Sequence, residues 1–458
     1  MKTPSIIQKL NPSLMILLSF LLVIFLGTGL LKTEYATKEG SIALVDALFT
    51  ATSAVCVTGL IVVDTGSYFT IFGKIVILIL MQVGGLGVMT ISVALFRWMG
   101  RKLSFKQRAM MQNLFSYEPK EHIFDLLKSV LLFTVIAEAI GAALLTLLWS
   151  AEFPLGDAIF FGIFHAVSAF CNAGFSFFSD SFVRYQDNLL LNITICALII
   201  AGGIGFPVLY DIKLYFQNGQ EIRSKLTLHS KTALTMTGIL IVSGAILFGV
   251  FENSHLLKGQ EPLSAKQFLI PLFQSITART AGFNTVDIGS LTEAALLLII
   301  ILMFIGASPG SCGGGIKTTT AATLFSLLVA RIQKHARVNL FKRSIPQECL
   351  DRGISVVLLS VTFILFILCM LLAGDSLVPL DHAEHPQKFL SYLFETVSAF
   401  GTVGLSMGVT ASLNVWGKCW IILMMIVGRV GILTFAYVIS GSGMENGLVY
   451  SEEKLMIG

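Results

Sequence analysis

Long apolar stretches dominate this sequence, and they constrain its fold more than any other feature. Eight of them approach or exceed the roughly 20 residues that an α-helix needs to cross a bilayer. Only 13% of the residues are charged, whereas soluble domains carry about 25%. We therefore expect an all-α polytopic membrane protein with eight transmembrane spans. The spans lie near residues 13–31, 74–96, 129–149, 189–212, 232–251, 294–330, 353–373 and 419–440.

Four shorter apolar stretches lie between the long ones. At about 10–14 residues they are too short to cross a bilayer, so we interpret them as re-entrant half-helices. The order long, short, long recurs four times, which predicts four concatenated units of helix, pore loop and helix around a central pore. The short helices lie near residues 42–55, 157–170, 268–278 and 389–400.

The loops between these units are basic. Seven Lys and Arg residues fall in segment 97–128, and segments 213–231 and 331–352 are also rich in them. Because basic loops stay in the cytoplasm, both termini are predicted to be cytoplasmic in the plasma (bacterial inner) membrane, and the short helices to enter from outside. The predicted units are 1–96, 129–212, 232–330 and 353–440, with cytoplasmic loops 97–128, 213–231 and 331–352 between them and a cytoplasmic tail 441–458.

A short motif recurs where each short helix ends. It contains a Phe, then a Ser or Thr followed by Ala, then a link into Gly-Leu or Gly-Phe. The third copy is one residue shorter than the others, which leaves its local geometry open. The copies are FTATSAVCVTGL (49–60), FHAVSAFCNAGF (164–175), FQSITARTAGF (273–283) and FETVSAFGTVGL (394–405).

These four copies favour a cation filter. Backbone carbonyls that follow a re-entrant helix are unpaired, which is tolerated at membrane depth where they line a cavity or face an ion. Four such stretches can form a carbonyl ring that replaces the water shell of an ion. For any single copy, a glycine helix cap is the ordinary alternative. The predicted filter residues are Val57, Thr58, Gly59, Asn172, Ala173, Gly174, Thr280, Ala281, Gly282, Thr402, Val403 and Gly404.

The repeated motif resembles the Trk/Ktr/HKT family of potassium transporters, and the resemblance covers nearly the whole chain. The eight-span length is most like the bacterial Ktr-type membrane subunit. Because all four filter positions are Gly, the resemblance implies selectivity for K⁺ as the substrate, and it leaves activation by Na⁺ open. It also implies a homodimer and a cytosolic nucleotide-binding regulatory subunit of the RCK type, similar to KtrA. No cofactor is predicted for this chain itself.

The charged residues indicate which further partners and functions the sequence favours or disfavours. The basic loops could bind anionic lipid or a protein ring, and loop 97–128 is the preferred docking surface. The net charge of +4 is too small to favour nucleic acid. An ion-coupled secondary transporter of an organic solute is the alternative function, since such carriers also contain repeats and broken helices. The sequence shows no clustered acid–base or metal-binding residues, so an enzyme is disfavoured.

The stretch GASPGSCGGGIKTTT (306–320) interrupts the second span of the third unit. A phosphate-binding loop is disfavoured, because Ile316 separates Gly315 from Lys317 and puts the lysine out of register. The matching stretches QVGGLG, IAGGIG and IVGRVG of the other units are expected to continue as helices. The resemblance implies that the third-unit stretch is a gate below the filter. The predicted gate residues are Gly306, Pro309, Gly310, Ser311, Gly313, Gly314, Gly315, Lys317 and Arg429.

Two cations lie at the level of this loop. Arg429 lies deep in the membrane, in the second span of the fourth unit, and a charge at that depth is costly and usually functional. The resemblance implies that it adds a barrier below the filter, and an ion pair with Glu138 is the structural alternative. Lys317 is either a counter-charge in the gate or a lysine whose side chain extends to the inner membrane interface.

The sequence supports less specific predictions for the other polar residues near the filter. Arg279 is expected to turn away from the filter and to pair with Glu395 or Asp46, because a bare cation there would repel the substrate. His165 is interpreted as a packing or hydrogen-bonding residue of a pore helix. An outer acidic ring and ordinary turn aspartates are equally open interpretations for Asp64, Asp180 and Asp287.

Overall fold

The computed structural model describes residues 12–87, 123–217, 226–256, 265–377 and 388–440. Most of loop 97–128 and the whole of tail 441–458 lie outside the described residues, so the predicted docking surface does too. The described chain is almost entirely helical. Its strands form one short antiparallel pair, Asn339–Leu340 with Arg343–Ser344.

The helices repeat in the order predicted from the sequence. Each of four units contains a long first helix, a short pore helix and a second helix. The first helices are α1 Pro12–Leu31, α5 Ile123–Trp149, α9 Leu228–Glu252 and α13 Gln347–Leu377. The pore helices are α2 Leu44–Val55, α6 Leu155–Phe170, α10 Ala265–Thr277 and α14 Lys388–Gly401. The second helices are α4 Ile71–Leu86, α7 Leu189–Gly203, α11 Glu293–Phe304 and α15 Val415–Val430. The remaining α-helices among the described residues are α3 Thr65–Tyr68, α8 Phe206–Gln217, α12 Thr318–Ile332 and α16 Ile432–Ser440.

The four first helices are each long and apolar enough to cross a membrane. Two second helices continue into a further helix after a sharp bend, and counting each bent pair as one span gives up to six spans among the described residues. Large side chains such as Leu22 and Phe25 on α1 are exposed, which in a bilayer places them against lipid. The chain is therefore a multi-pass membrane protein.

Two of the second helices bend sharply, so the prediction that these stretches continue as one helix is wrong for the second and fourth units. The α7–α8 pair bends by 95° and the α15–α16 pair by 105°. The bends follow Gly205 (φ +101°) and Gly431 (φ +93°), and α4 ends in the same way at Gly87 (φ +82°). Only glycine adopts such angles readily, so the last residue of each short glycine motif ends its helix. The break in the third unit thus has counterparts in the second and fourth units, and the residues that follow Gly87 in the first unit lie outside the described part of the chain.

Contacts between units close a ring. Each second helix packs against the pore helix of the next unit: α4 against α6, α7 against α10, α11 against α14, and α15 against α2. An ion pair of 2.7 Å between Lys418 Nζ and Asp46 Oδ1 joins the fourth unit to the first. The repeated Phe of each pore helix fills the core of this ring. These four rings, Phe49, Phe164, Phe273 and Phe394, are at most 1% exposed.

Glycines in the second helices allow the close contact with the pore helices of their own units. A Cβ at Gly202 would lie 1.8 Å from the Phe170 carbonyl oxygen. In the same way, a Cβ at Gly84 would lie 2.0 Å from the Val55 oxygen, and one at Gly428 would lie 2.1 Å from the Phe400 oxygen. The glycine motifs therefore serve the packing of two helices as well as the break that follows.

Gly202→Ala should lower the melting temperature of the purified protein by at least about 5 °C, because the added methyl group forces α7 away from α6. Gly29→Ala is the matched control, since a Cβ at Gly29 meets nothing within 4 Å and alanine favours a helix. Thermal unfolding of both variants in the same detergent gives the comparison. Equal melting temperatures for the two variants would contradict this account of the glycine motifs.

Candidate functional site

The four stretches that follow the pore helices share one unusual backbone conformation. Their first and third residues both have positive φ, and the third is always Gly. Alternation of left-handed and ordinary conformations turns successive carbonyls toward one side. Three of the four first residues are β-branched, for which positive φ is a strained outlier that the surrounding structure must hold. The φ values are +58° and +88° for Val57 and Gly59, +58° and +69° for Asn172 and Gly174, +73° and +82° for Thr280 and Gly282, and +49° and +96° for Thr402 and Gly404.

The four stretches meet in a closed ring. A Cβ added to each glycine would collide with the carbonyl of the middle residue in the next unit, and the fourth unit returns to the first. No L side chain fits at any of the four positions without moving a filter carbonyl. The distances are 2.4 Å from Gly59 to the Ala173 oxygen, 2.9 Å from Gly174 to the Ala281 oxygen, 2.3 Å from Gly282 to the Val403 oxygen and 2.2 Å from Gly404 to the Thr58 oxygen.

The repeated Ser or Thr of the motif supports this ring from the pore helix. In three units its hydroxyl donates to the carbonyl that follows the filter glycine, and in the fourth Ser398 Oγ accepts from Gly404 N at 3.1 Å. The third copy keeps the same arrangement although it is shorter, because Ala281 N donates to Thr277 O at 2.9 Å. The three donor bonds are Ser53 Oγ to Leu60 O at 2.7 Å, Ser168 Oγ to Phe175 O at 2.8 Å and Thr277 Oγ1 to Phe283 O at 2.6 Å.

The glycine-rich loop of the third unit lies directly against the filter. Ile305 and Ile316 form a parallel bridge that closes the base of the loop. A Cβ at Gly313 would lie 2.1 Å from Thr280 Oγ1, and one at Gly314 would lie 2.5 Å from Thr402 Oγ1. The loop therefore contacts the first filter residues of the third and fourth units, on the side away from the filter glycines.

Backbone hydrogen bonds tie this loop to the break in the second unit. Ser308 N donates to Gly203 O at 3.0 Å, and Cys312 N donates to Gly202 O at 3.2 Å. In return, Phe206 N at the start of α8 donates to Gly310 O at 2.9 Å. The loop and the bent α7–α8 pair are thus one hydrogen-bonded unit.

Both cations predicted near the loop bind its carbonyl groups. Lys317 Nζ folds back and donates to Gly313 O at 2.7 Å and to Gly314 O at 3.4 Å, which does not match a side chain extended to the membrane interface. The guanidinium of Arg429 donates to Cys312 O and to Gly84 O, so it links the loop to the first unit.

An ion pair between Arg429 and Glu138 is not what the structure shows. The Glu138 carboxylate accepts from Gln82 Nε2 at 3.2 Å instead. Among the described residues, the partners of the Arg429 guanidinium are therefore carbonyl oxygens and not a carboxylate. In the repeat, Arg429 occupies the position held by Gly85, Gly203 and Ala307 in the other units, so the fourth unit alone carries a charge at this position.

The predicted acid partner of Arg279 is also absent among the described residues. Arg279 is buried, and its Nη2 donates to Thr237 Oγ1 on α9 at 3.3 Å, away from the ring. Glu395 instead accepts hydroxyl donors of its own unit, and Asp46 pairs with Lys418. The predicted direction of Arg279 is therefore correct, and the predicted ion pair is wrong.

The three aspartates beyond the filter make local contacts. Asp64 Oδ1 accepts from Ser67 N at 2.7 Å and begins α3, and Asp287 Oδ1 accepts from Gly289 N at 3.1 Å. Asp180 lies 3.6 Å from Arg184 Nε. These contacts match turn aspartates. The packing role of His165 is confirmed, because its Nδ1 meets Phe161 O at 2.8 Å and its ring packs against Trp149.

A cavity of about 550 Å³ borders the glycine-rich loop between the third and fourth units. Gly315 and Lys317 of the loop line one side of it, and Phe400 and Gly431 line another. Among the described lining residues there is no Asp or Glu. The loop therefore lies beside open space on the side of the fourth unit.

Comparison with known proteins places this architecture among cation transporters. The family model described as "TrkH: Cation transport protein" matches residues 8–445. The Ktr system potassium uptake protein B of Vibrio alginolyticus is 38% identical over 97% of this chain and 94% of its own length. The potassium/sodium uptake protein NtpJ of Enterococcus hirae is 36% identical over 98% of both chains. The crystal structure of the potassium transporter TrkH from Vibrio parahaemolyticus has the same fold, with a TM-score of 0.72 at 18% identity over 95% of this chain and 86% of that one.

Proposed function

This chain belongs to the TrkH family of cation transport proteins, and on that premise we propose that it is the ion-translocating subunit of a potassium uptake system. The family is one of transporters and not of enzymes. K⁺ is the substrate, Na⁺ is proposed as an activator, and the chain itself binds no cofactor. Relatives that match over nearly their full length are named for potassium or potassium/sodium uptake, which supports this substrate.

The proposal rests on the closed ring formed by the four stretches that follow the pore helices, each with positive φ at its first and third residues. Carbonyls aimed into the ring supply the dipoles that replace the hydration shell of a monovalent cation. The C-termini of four pore helices point the negative ends of their dipoles at the same centre. A ring of this kind attracts cations and repels anions. Nothing in this ring provides charged side chains for the amino and carboxylate groups of an amino acid, because its described residues are Val, Thr, Asn, Ala and Gly.

The glycine-rich loop is proposed as the gate of this pathway. It lies across the side of the filter away from the filter glycines, against Thr280 and Thr402, and two cations bind its carbonyls. Its hydrogen bonds to Gly202, Gly203 and Phe206 hold it there. Release of these bonds would let it enter the adjoining cavity and clear the path.

The orientation of the chain in the membrane and its partners are proposed on the basis of the same family membership. We place the starts of the pore helices at the outside of the plasma membrane, and the gate and both termini toward the cytoplasm, because the basic loops favour that side. A homodimer and a cytosolic nucleotide-binding subunit are proposed as the assembly. The relatives named as components of a Ktr system support a multi-component arrangement.

Rubidium uptake tests the proposal. Purified protein in liposomes, with and without the cytosolic partner, is expected to take up ⁸⁶Rb⁺ along an electrical gradient. Excess K⁺ should block this uptake at a concentration at least about tenfold lower than Na⁺ does. Uptake blocked by an amino acid or another organic solute, or silence even with the partner present, would overturn the proposal and favour a solute carrier.

A further inference from the structure

One position of the repeat is filled by a different polar residue in every unit. It directly follows the repeated Phe of the pore helix, and its occupants are Thr50, His165, Gln274 and Glu395. All four are at most 2% exposed. Buried polar side chains are costly unless they are hydrogen-bonded, so each of them requires partners.

In three units this residue binds the segment that follows the filter glycine. His165 Nε2 lies 3.2 Å from Ser176 Oγ and accepts from Phe177 N at 3.3 Å. Gln274 Nε2 donates to Thr285 Oγ1 at 3.3 Å. In the fourth unit, Glu395 accepts from Ser406 Oγ, and from Thr410 Oγ1 at 3.0 Å.

The first unit lacks this connection. Thr50 Oγ1 donates to Asp46 O at 2.8 Å within its own helix, as threonine commonly does. The same position therefore contacts the post-filter segment in units two to four and not in unit one. This difference provides a control within the same chain.

We propose that His165, Gln274 and Glu395 are positioning residues that fix the outer end of the filter and thereby set its discrimination between K⁺ and Na⁺. This inference rests on the proposed function. Each filter stretch is held at the glycine by the repeated Ser or Thr and, in units two to four, by one of these three side chains a few residues further out. Because a carbonyl ring selects by the spacing and freedom of its dipoles, loss of the outer attachment lets the ring adapt to the smaller cation.

The connections in the third and fourth units differ in strength, which makes the proposal quantitative. Glu395 binds two hydroxyl groups on the segment 406–410, and Ser406 Oγ in turn accepts from Gly408 N at 2.9 Å. Gln274 makes a single bond to this segment of its unit, and its Oε1 has no partner among the described residues. Removal of Glu395 is therefore expected to have a larger effect than removal of Gln274.

The test measures the Na⁺ concentration that halves ⁸⁶Rb⁺ uptake into liposomes, divided by the K⁺ concentration that does so, a ratio that falls as discrimination is lost. Glu395→Leu should reduce the ratio of these concentrations about tenfold, and Gln274→Leu about two- to threefold. Glu395→Gln should keep most of the discrimination, because its amide oxygen can accept from Ser406 and its amide nitrogen can donate to Thr410. Thr50→Val should leave the ratio unchanged.

A second variant keeps the test decisive if Glu395→Leu does not fold. Ser406→Ala removes one of the two hydroxyl contacts of Glu395 at a half-buried side chain, and should lower the ratio in the same direction by a smaller factor. An unchanged ratio in Ser406→Ala and Gln274→Leu, with only the uptake rate reduced, would overturn the inference. So would an equal loss of discrimination in Thr50→Val. Absence of rubidium uptake by the unmodified protein, even with the cytosolic partner present, would instead contradict the proposed function.

Discussion

Gly282→Ala is expected to lower ⁸⁶Rb⁺ uptake by at least about a hundredfold while the protein still folds, which corresponds to roughly 2.7 kcal/mol. Gly282 has φ +82°, and a Cβ there would lie 2.3 Å from the Val403 carbonyl oxygen. A left-handed alanine costs about 1–2 kcal/mol before any collision is counted. The collision then moves a carbonyl of the filter itself, so the substitution acts on the ion path directly.

Gly238→Ala is the matched control for this variant. Gly238 lies on α9 of the same unit, and a Cβ there meets nothing within 4 Å. Both variants should elute as folded protein, and only Gly282→Ala should lose uptake. Gly174→Ala should be milder, because its Cβ would lie 2.9 Å from the Ala281 oxygen. If Gly282→Ala transports as Gly238→Ala does, the ring is not the ion path.

Arg429→Ala is expected to raise ⁸⁶Rb⁺ flux about three- to tenfold. Its guanidinium holds Cys312 O of the loop and Gly84 O of the first unit, so alanine frees the loop at that point. The substitution also removes a positive charge from the cation path, and this effect has the same sign. Initial uptake rates at matched protein density measure the change.

Arg429→Lys separates the two contributions. Lysine keeps the charge but lacks the planar fork that binds two carbonyls. If the hydrogen bonds to the two carbonyls dominate, Arg429→Lys should resemble Arg429→Ala. If the positive charge dominates, Arg429→Lys should resemble the unmodified protein.

Shortening segment 310–315 should also raise flux and weaken regulation, because it removes the loop from below the filter. Unchanged flux in both Arg429→Ala and a folded deletion would contradict the gate.

The sequence predicted the features that depend on local pattern. The four short helices lie where the apolar lengths placed them, since a run too short to span a bilayer still forms a helix when it packs in a protein core. In all four units the repeated Phe packs in the core, the repeated Ser or Thr hydrogen-bonds to the filter stretch, and the repeated Gly makes the close contact with the next unit. The interruption at Gly306–Gly315 was visible because Pro and several glycines disfavour a helix.

Features that depend on tertiary contact were not predictable in the same way. The glycines at the bends, Gly205 and Gly431, look like ordinary helical glycines until their φ angles are known, although their equal place in the two motifs was a usable signal. Electrostatics alone favours an acid partner for Arg279. The structure gives it Thr237 instead, because the two acids considered have other partners.

Locating the bound ion in a structure tests the central claim, which is that the ring of four stretches is the ion path. Crystals or frozen grids of the protein in Rb⁺ or Tl⁺, with anomalous or difference maps, would show where the substrate analogue binds. The account predicts density on the axis of the ring formed by residues 57–59, 172–174, 280–282 and 402–404, with none in a Gly282→Ala protein. Strong density elsewhere in the protein, with the ring empty in the unmodified chain, would contradict it.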